Sequence, residues 1–404
     1  MKIAILGTVG VPGRYGGFET LAENLVQQHQ QRGWNTQLTV YCSAEAYQDR
    51  VPSYRDAQLR YSRFKANGAQ SVLYDAVTLL DSALRGHDVA LLLGVSGAVA
   101  LPFVRLFSRI RIVTNVDGIE WRRDKWKGLA RHFLRFSEWV AVRFSDQVVA
   151  DNQGIADHLR EAYGIEPVVI PYGGDHALKS GATTAHSDDR SAPVHEGYAL
   201  ALCRIEPENN VAMILEAFAA TGMPLVFVGN WNSSEYGRCL RARYASEKNI
   251  DLRDPIYEAE ALYRIRAGAS CYIHGHSAGG TNPSLVEMMH FGVPIRAFDC
   301  IYNRHTTKNS AVFFKSAVEL AVQMGRTTEP GIGAKMLDIA LQRYSWERVG
   351  NDYFTLMGAA LRETSKPHID KFPVSAGSRR PPDSAGCEDA CIHDGALQSE
   401  NPPP

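Results

Sequence analysis

The sequence predicts an α/β protein of two domains, each built on a parallel sheet, and three observations carry that prediction. Short apolar runs alternate with amphipathic helical stretches, as strands and crossover helices do. The alternation stops once, over a polar, small-residue stretch from His176 to Glu196, and then restarts. The 404 residues are enough for two ordinary cores.

Taken in order, Lys2–Leu6 reads as a buried strand. After a Gly-rich turn, Phe18, Leu21, Ala22, Leu25 and Val26 recur at helical spacing. Further strands are expected near Leu38–Cys42, Val89–Leu93, Ile112–Val116, Gln147–Ala150 and Val168–Ile170, with helices between most of them. Past the break, strands fit Tyr198–Cys203, Leu225–Val228, Ser270–Ile273, Pro294–Phe298 and Ala311–Phe314. Helices fit Val211–Ala220, Ala259–Ala267, Pro283–Phe291 and Ala317–Met324, and Leu337–Leu361 reads as helical. The expected organisation is a first domain over 1–175, a linker over 176–196 and a second domain over 197–344. A C-terminal helix over 345–363 has the option of packing back on the first domain. The Pro-, Ser- and Gly-rich residues 364–404 read as a disordered tail.

Hydrophobic residues make up 45% and charged residues 22% of the chain, and the net charge of −1 offers a nucleic acid no bulk attraction. Seven scattered cysteines form no disulfide framework, which points to a reducing compartment. The start MKIAILG lacks the apolar core of a signal peptide, and Val89–Val99 is too short to span a bilayer. A cytoplasmic location is therefore expected.

Four constellations carry chemistry. The first runs from Gly7 to Thr20 between the first strand and first helix, where glycines let backbone N–H groups approach an anion. Its G-x-x-G-x-x-G spacing, and a second strand ending at Cys42-Ser43 without an acid, disfavour a dinucleotide site. A tight turn without a ligand is the alternative. The second runs from Tyr272 to Pro294: a strand, the loop Gly279, Gly280, Thr281 and Asn282, and a helix from Pro283. That loop and helix start suit an anionic leaving group, and Glu287, just over a turn in, is near enough to reach a ribose. Alternatively, Glu287 is a solvated or capping residue.

The third constellation, Cys203–Asn210, puts Arg204 at a strand end, where its fork suits a pyrophosphate. A salt bridge to Glu206 or Glu208 is the competing account. The fourth, Asn115–Lys127, puts Asp117 between a strand and a helix, facing the cleft expected between the domains. It continues into a basic, aromatic segment, Trp121 to Arg143. As a basic amphipathic helix this segment suits a membrane surface or a lipid pyrophosphate; otherwise it is an ordinary helix with one core face.

At G-V-P-G-R-Y-G-G-F-E-T, D-G-I-E-W, R-I-E-P-E-N-N and H-G-H-S-A-G-G-T-N-P-S-L-V-E, over about residues 1 to 360, the chain resembles family 4 of the retaining GT-B glycosyltransferases. It is most similar to the bacterial rhamnosyltransferase-like subgroup of surface polysaccharide assembly. The resemblance implies a GT-B fold: two Rossmann-like domains with parallel sheets facing a central cleft, donor mainly on the C-terminal domain and acceptor mainly on the N-terminal one. It implies no cofactor and no obligatory metal, with a nucleoside diphosphate sugar as donor.

It assigns Asp117, Arg204 and Glu287 as catalytic. Donor contacts fall on Gly16, Gly17, Arg204, Asn209, Gly279, Gly280, Thr281, Asn282 and Glu287, and acceptor contacts on Glu19, Asp117, Glu120 and Arg122. Three positions depart from the family pattern. Gly279 stands where a glutamate eight positions before Glu287 is usual, Asn209 lies near the usual lysine, and Asp117 falls where many members have histidine. The implied reaction moves a hexosyl or deoxyhexosyl group, rhamnosyl among them, to a hydroxyl of a lipid-linked saccharide, with retention. The enzyme would then work as a peripheral protein on an anionic membrane surface, the inner face of the cytoplasmic membrane. A nucleotide-sugar epimerase of the same fold and a non-catalytic sugar-nucleotide sensor are the alternatives.

Overall fold

The computed structural model describes residues 1–13, 16–116, 118–123, 126–178, 197–326 and 330–362. The expected tail, most of the expected linker and the candidate Asp117 lie outside the described residues, as do Arg14, Tyr15, Asp124 and Lys125.

The first lobe runs β1 (Lys2–Leu6), α1 (Gly17–Arg32), β2 (Gln37–Ser43), β3 (Ser53–Tyr54), β4 (Ala57–Ser62), α2 (Ser71–Leu84) and β5 (Val89–Leu93). It continues α3 (Leu101–Phe107), β6 (Arg111–Val116), α4 (Gly128–Phe144), β7 (Gln147–Ala150), α5 (Gln153–Tyr163) and β8 (Val168–Val169). Its sheet has the order β3-β4-β2-β1-β5-β6-β7-β8 and is parallel apart from the β3–β4 hairpin. Helices cover both faces, which is why β5, VALLL, is buried at every position. Alternation along β1 sends Ile3 and Ile5 into a core with Leu21 and Leu25 of α1. Ala4 and Leu6 point the other way, into a core shared with Leu79 of α2, Val104 of α3 and Val140 of α4.

The second lobe runs β9 (Tyr198–Leu202), α6 (Val211–Thr221), β10 (Leu225–Val228), α7 (Glu235–Tyr244), β11 (Ile250–Arg253), α8 (Ala259–Ala267) and β12 (Ala269–His274). Then come α9 (Pro283–Met289), β13 (Ile295–Phe298), α10 (Ile301–Thr306), β14 (Val312–Phe314), α11 (Ala317–Met324), α12 (Ile332–Arg343) and α13 (Trp346–Arg362). The sheet, β11-β10-β9-β12-β13-β14, is wholly parallel. Among the described residues no helix is long and apolar enough to cross a membrane.

Three of the stretches read from the sequence take a different form in the structure. The stretch expected as one helical run from Leu337 is broken at Tyr344, because the Trp346 N–H and indole donate to Asp175 Oδ1 and His176 Nδ1 at 2.7 and 2.8 Å. From there α13 crosses back and packs on α1, β5 and β6 of the first lobe. The polar stretch expected to begin at His176 instead starts with a 3-10 turn, Asp175–Leu178, held by those same bonds. The segment from Trp121 to Arg143 is not one helix: a 3-10 turn covers Glu120–Arg122 and α4 begins only at Gly128.

Asp75 on α2 is buried against Gly97, and the Ser96 hydroxyl donates to its Oδ2 at 2.6 Å. Burial pushes its carboxyl up to about 7 from 3.8, and the bonds from Ser96 and Gly97 offset only part of that. The folded state therefore holds this proton more tightly than the unfolded chain, and stability is lost as pH rises from about 4 to about 7. Asp75→Asn should melt with the wild type at pH 4 and above it at pH 8; parallel melting curves across that range would refute the assignment.

Candidate active site between the lobes

In open α/β sheets the strand carboxyl ends open on the crevice where ligands bind. Here both sheets turn those ends toward one cavity of about 260 Å³. Gly7 after β1, Asn115 at the end of β6 and Asp151 after β7 line one wall. Arg204 after β9 and His276 after β12 line the other. Gly7 has φ 81°, and a Cβ there would lie 2.1 Å from the Leu93 carbonyl oxygen, so only glycine allows this turn.

Arg204 is the most open charged group of its loop, with a side chain 44% exposed and Nη1 3.4 Å from Glu206 Oε1. The guanidinium thus has the acidic neighbour of the salt-bridge account and also faces the cavity. Asn209 lines the cavity but is buried, and its amide donates to the Arg204 carbonyl at 2.7 Å. It braces the arginine's backbone. Gly279, Gly280, Thr281 and Asn282 line the cavity as a loop, with Gly17 of the first lobe opposite Pro283. Gly16 does not line it; its carbonyl accepts from the Thr20 N–H and hydroxyl inside α1.

The loop's donors are partly committed. The Thr281 N–H donates to Asp151 Oδ2 at 3.2 Å, its hydroxyl donates to the Asp151 carbonyl, and the Ser284 N–H is taken by Asn282 Oδ1 at 3.1 Å. A Cβ on Gly280 would fall 1.8 Å from Asp151 Oδ1, so glycine is what lets the first lobe's carboxylate come this close. Asn152 adds donors to Thr281 Oγ1 and Thr306 Oγ1 at 3.5 and 3.1 Å. Asp151 and Asn152 thus clasp the second lobe's loop.

Glu287 is corrected. The sequence reading turned it to the cleft; the structure buries it behind the cavity lining. Arg266 donates to one carboxylate oxygen, and His176 Nε2 lies 3.2 Å from the other. Burial alone would raise its pKa, but Arg266 and His176 outweigh that and hold it below the usual glutamate value.

On the acceptor side, Glu19 lines the cavity but folds back: its Oε1 accepts from the Val9 N–H at 2.8 Å and the Thr8 hydroxyl at 3.2 Å. Glu120 also lines it, accepting from Arg123 at 2.7 Å and the Trp126 indole at 3.1 Å. Arg122 stands on an adjacent hollow, its guanidinium 5.1 Å from the Trp121 ring.

Arg123, His276 and Asp151 line the cavity, and the sequence singles out none of them. Arg123 belongs to the basic segment after Trp121, yet its side chain is only 14% exposed and reaches across the cleft. It donates to Glu120 and to Glu208 of the second lobe, with Glu206 3.6 Å away. His276 stacks on His274 with ring centroids 4.4 Å apart. Burial, with Arg204 and Arg123 beside it, pushes its imidazole down to about 3, so it is neutral at physiological pH. Asp151 was legible in principle, because it follows a strand as Asp117 does. Arg123 was not, since nothing in a run of cations marks the one that turns inward.

A family described as Domain of unknown function (DUF1972) matches residues 1–175. No curated protein matches the sequence. Among solved structures the chain is similar to sucrose-phosphate synthase from Thermosynechococcus elongatus, at 12% identity and TM-score 0.74, over 89% of this chain and 99% of that one. It is similar to HepE of Anabaena, solved with UDP-glucose, at 17% identity and TM-score 0.65, over 89% and 100%. It is also similar to a glycosyltransferase from Rickettsia africae, at 12% identity and TM-score 0.66, over 90% and 99%. At such identities the likeness shows the architecture, and the chain has the GT-B fold.

The buried pair yields a test. Removing the Glu287 carboxylate strands Arg266 in the interior, which typically costs about 3–5 kcal/mol. Glu287→Ala should therefore lower the urea unfolding free energy by several kcal/mol, and Arg266→Met with Glu287→Leu should recover much of it. An unchanged midpoint in Glu287→Ala would show that the carboxylate is not holding the arginine.

Proposed function

We propose that the chain is a glycosyltransferase that moves a hexosyl or deoxyhexosyl group, rhamnosyl among them, from a nucleoside diphosphate sugar to a hydroxyl. The single observation that carries this is Arg204, a half-exposed guanidinium at a strand's carboxyl end, opening on the cavity between GT-B lobes. The solved neighbours named above add support, since one was solved with UDP-glucose.

In this reading Arg204 grips the diphosphate with two parallel N–H donors as negative charge builds on it. The bond from the anomeric carbon to the diphosphate oxygen breaks, and a bond to the acceptor oxygen forms on the same face. The acceptor proton passes to the departing phosphate, as the family resemblance suggests. No metal is required, because the guanidinium supplies the positive charge. His276, neutral between two arginines, can accept or donate one hydrogen bond without adding charge. Glu287 supports the donor loop from behind rather than touching a ribose. The acceptor is a lipid-linked saccharide of surface polysaccharide assembly, approached from the first lobe at an anionic membrane surface on the cytoplasmic side.

Arg204→Ala should weaken calorimetric binding of the nucleoside diphosphate by about 1.5–3 kcal/mol, typical of a hydrogen bond to a charged group. Arg204→Lys should restore only part, because the fork is lost. Unchanged affinity in Arg204→Ala would overturn the assignment. Turnover of the sugar nucleotide without an acceptor would mark an epimerase, and tight binding without turnover a sensor.

A further inference from the structure

Three neighbouring helices of the first lobe carry apolar stripes on their outer sides. The inner sides of α2, α3 and α4 share one core against the same face of the sheet, so their outer sides form one layer. On α2 the exposed large apolar residues are Leu73, Val77, Leu80 and Leu84, at i, i+4, i+7 and i+11. That spacing makes one stripe, and it is the reverse of a surface helix that hides its apolar side. On α3, Phe103 and Phe107 are 62% and 84% exposed, with Leu106 beside them. The first two turns of α4 stand clear of the lobe: Leu129 is 88% exposed, and Phe133 and Phe136 follow at i+4 and i+7. Trp139 continues the line, stacked on Phe136 with centroids 5.8 Å apart. Soluble monomers rarely leave contiguous apolar surface on this scale without a use.

Charge selects the occupant. No carboxylate is exposed on α3 or α4: α3 has none, and Glu138 of α4 is buried. Among the described residues, the exposed charged groups there and at their ends are cations, Arg109, Lys127, Arg131 and Arg135. On α2, Asp75 is buried and Asp81 is joined to Arg85. An apolar face with aromatic residues at its edge and cations around it matches an anionic bilayer, whose acyl boundary takes the stripes and whose headgroups take the arginines. Self-association by such a face would bring like charges together.

We propose that the outer face of α2, α3 and α4 is a docking surface for an anionic lipid bilayer. This deepens the reading of a lipid-linked acceptor and rests on it. It also moves the membrane contact from the expected segment 121–143 to three helices, and removes Arg123 from it, because Arg123 is spent in the cleft. Arg131 and Arg135 lie 5.9 and 5.3 Å from the Trp121 ring, so the docking face adjoins the turn that carries Glu120 and Arg123 into the site.

The test is co-sedimentation of the full chain with vesicles of equal parts phosphatidylcholine and phosphatidylglycerol. Wild type should bind at low salt and release as salt is raised, and should ignore pure phosphatidylcholine. Phe103→Gln with Phe107→Gln and Leu129→Gln should cut partitioning at least about tenfold. Arg131→Glu with Arg135→Glu should do the same at low salt. Both variants should keep wild-type melting and nucleoside diphosphate affinity, so loss of docking is separable from failure of the glycosyltransferase reading. Wild type that never sediments, or variants that sediment equally, overturns the proposal. So does a wild-type dimer that the triple variant dissociates, because the occupant would then be a second copy.

Discussion

The packing of α13 on the first lobe is the constraint on which the rest depends. The helix follows the second lobe in sequence yet buries Trp346, Val349, Tyr353, Phe354 and Met357, partly against α1 and the ends of β5 and β6. Burying a large side chain of this kind contributes roughly 1.5–3 kcal/mol. The accompanying surface pair, Arg32 with Glu347, is mostly exposed and contributes about 1 kcal/mol at most. Apolar contact therefore holds the helix, and polar contacts set its register. Asn115 donates to the Tyr353 hydroxyl at 2.6 Å, and Phe354 lies on Trp34 with centroids 4.2 Å apart. With α13 fixed, the two sheets must present their carboxyl ends to each other.

That closeness brings charge into the gap, and the cleft is organised around matching it. Four carboxylates, Glu19, Glu120, Asp151 and Glu208, and two guanidiniums, Arg123 and Arg204, line the cavity among the described residues. An uncompensated charge in such a place costs several kcal/mol, so each must find partners or solvent. Glu19 takes N–H and hydroxyl donors of the Gly-rich turn, Asp151 takes Thr281, and Glu120 and Glu208 share Arg123. Arg204 is the guanidinium left most open to solvent, which is what an arriving diphosphate needs. His274 and His276 meet the same demand by staying neutral.

The first lobe presents two different faces through one layer of helices. The turn before α4 delivers Glu120 and Arg123 into the cleft, while α4 itself stands outward with its aromatic and basic residues. The Trp121 ring, with Arg122, Arg131 and Arg135 around it, joins the two. A shift of α4 at a surface would therefore reach the rim of the cavity through a short, packed path.

The sequence by itself determined the two sheets, because buried parallel strands and their crossover helices leave apolar runs and periodicities that survive without context. Val89–Leu93, Gln147–Ala150, Ala259–Ala267 and Ala317–Met324 were read to the residue. The strands β3, β4 and β11, at or next to a sheet edge, were not, since β11 buries only Ile250 and β3 is two residues long, so they carry little apolar signal. The loops at strand ends, with Arg204 and Gly279–Asn282, were legible because spacing and residue type mark where a chain must turn. Tertiary structure alone decided which charged and polar groups meet. Glu287 and Arg266 are 21 positions apart, Arg123 and Glu208 85, and Asp151 and Thr281 130. No local pattern encodes such pairings: a carboxylate's fate depends on which donor the fold brings within a few ångströms, and for the two pairs that cross the cleft that is settled only when α13 draws the lobes together.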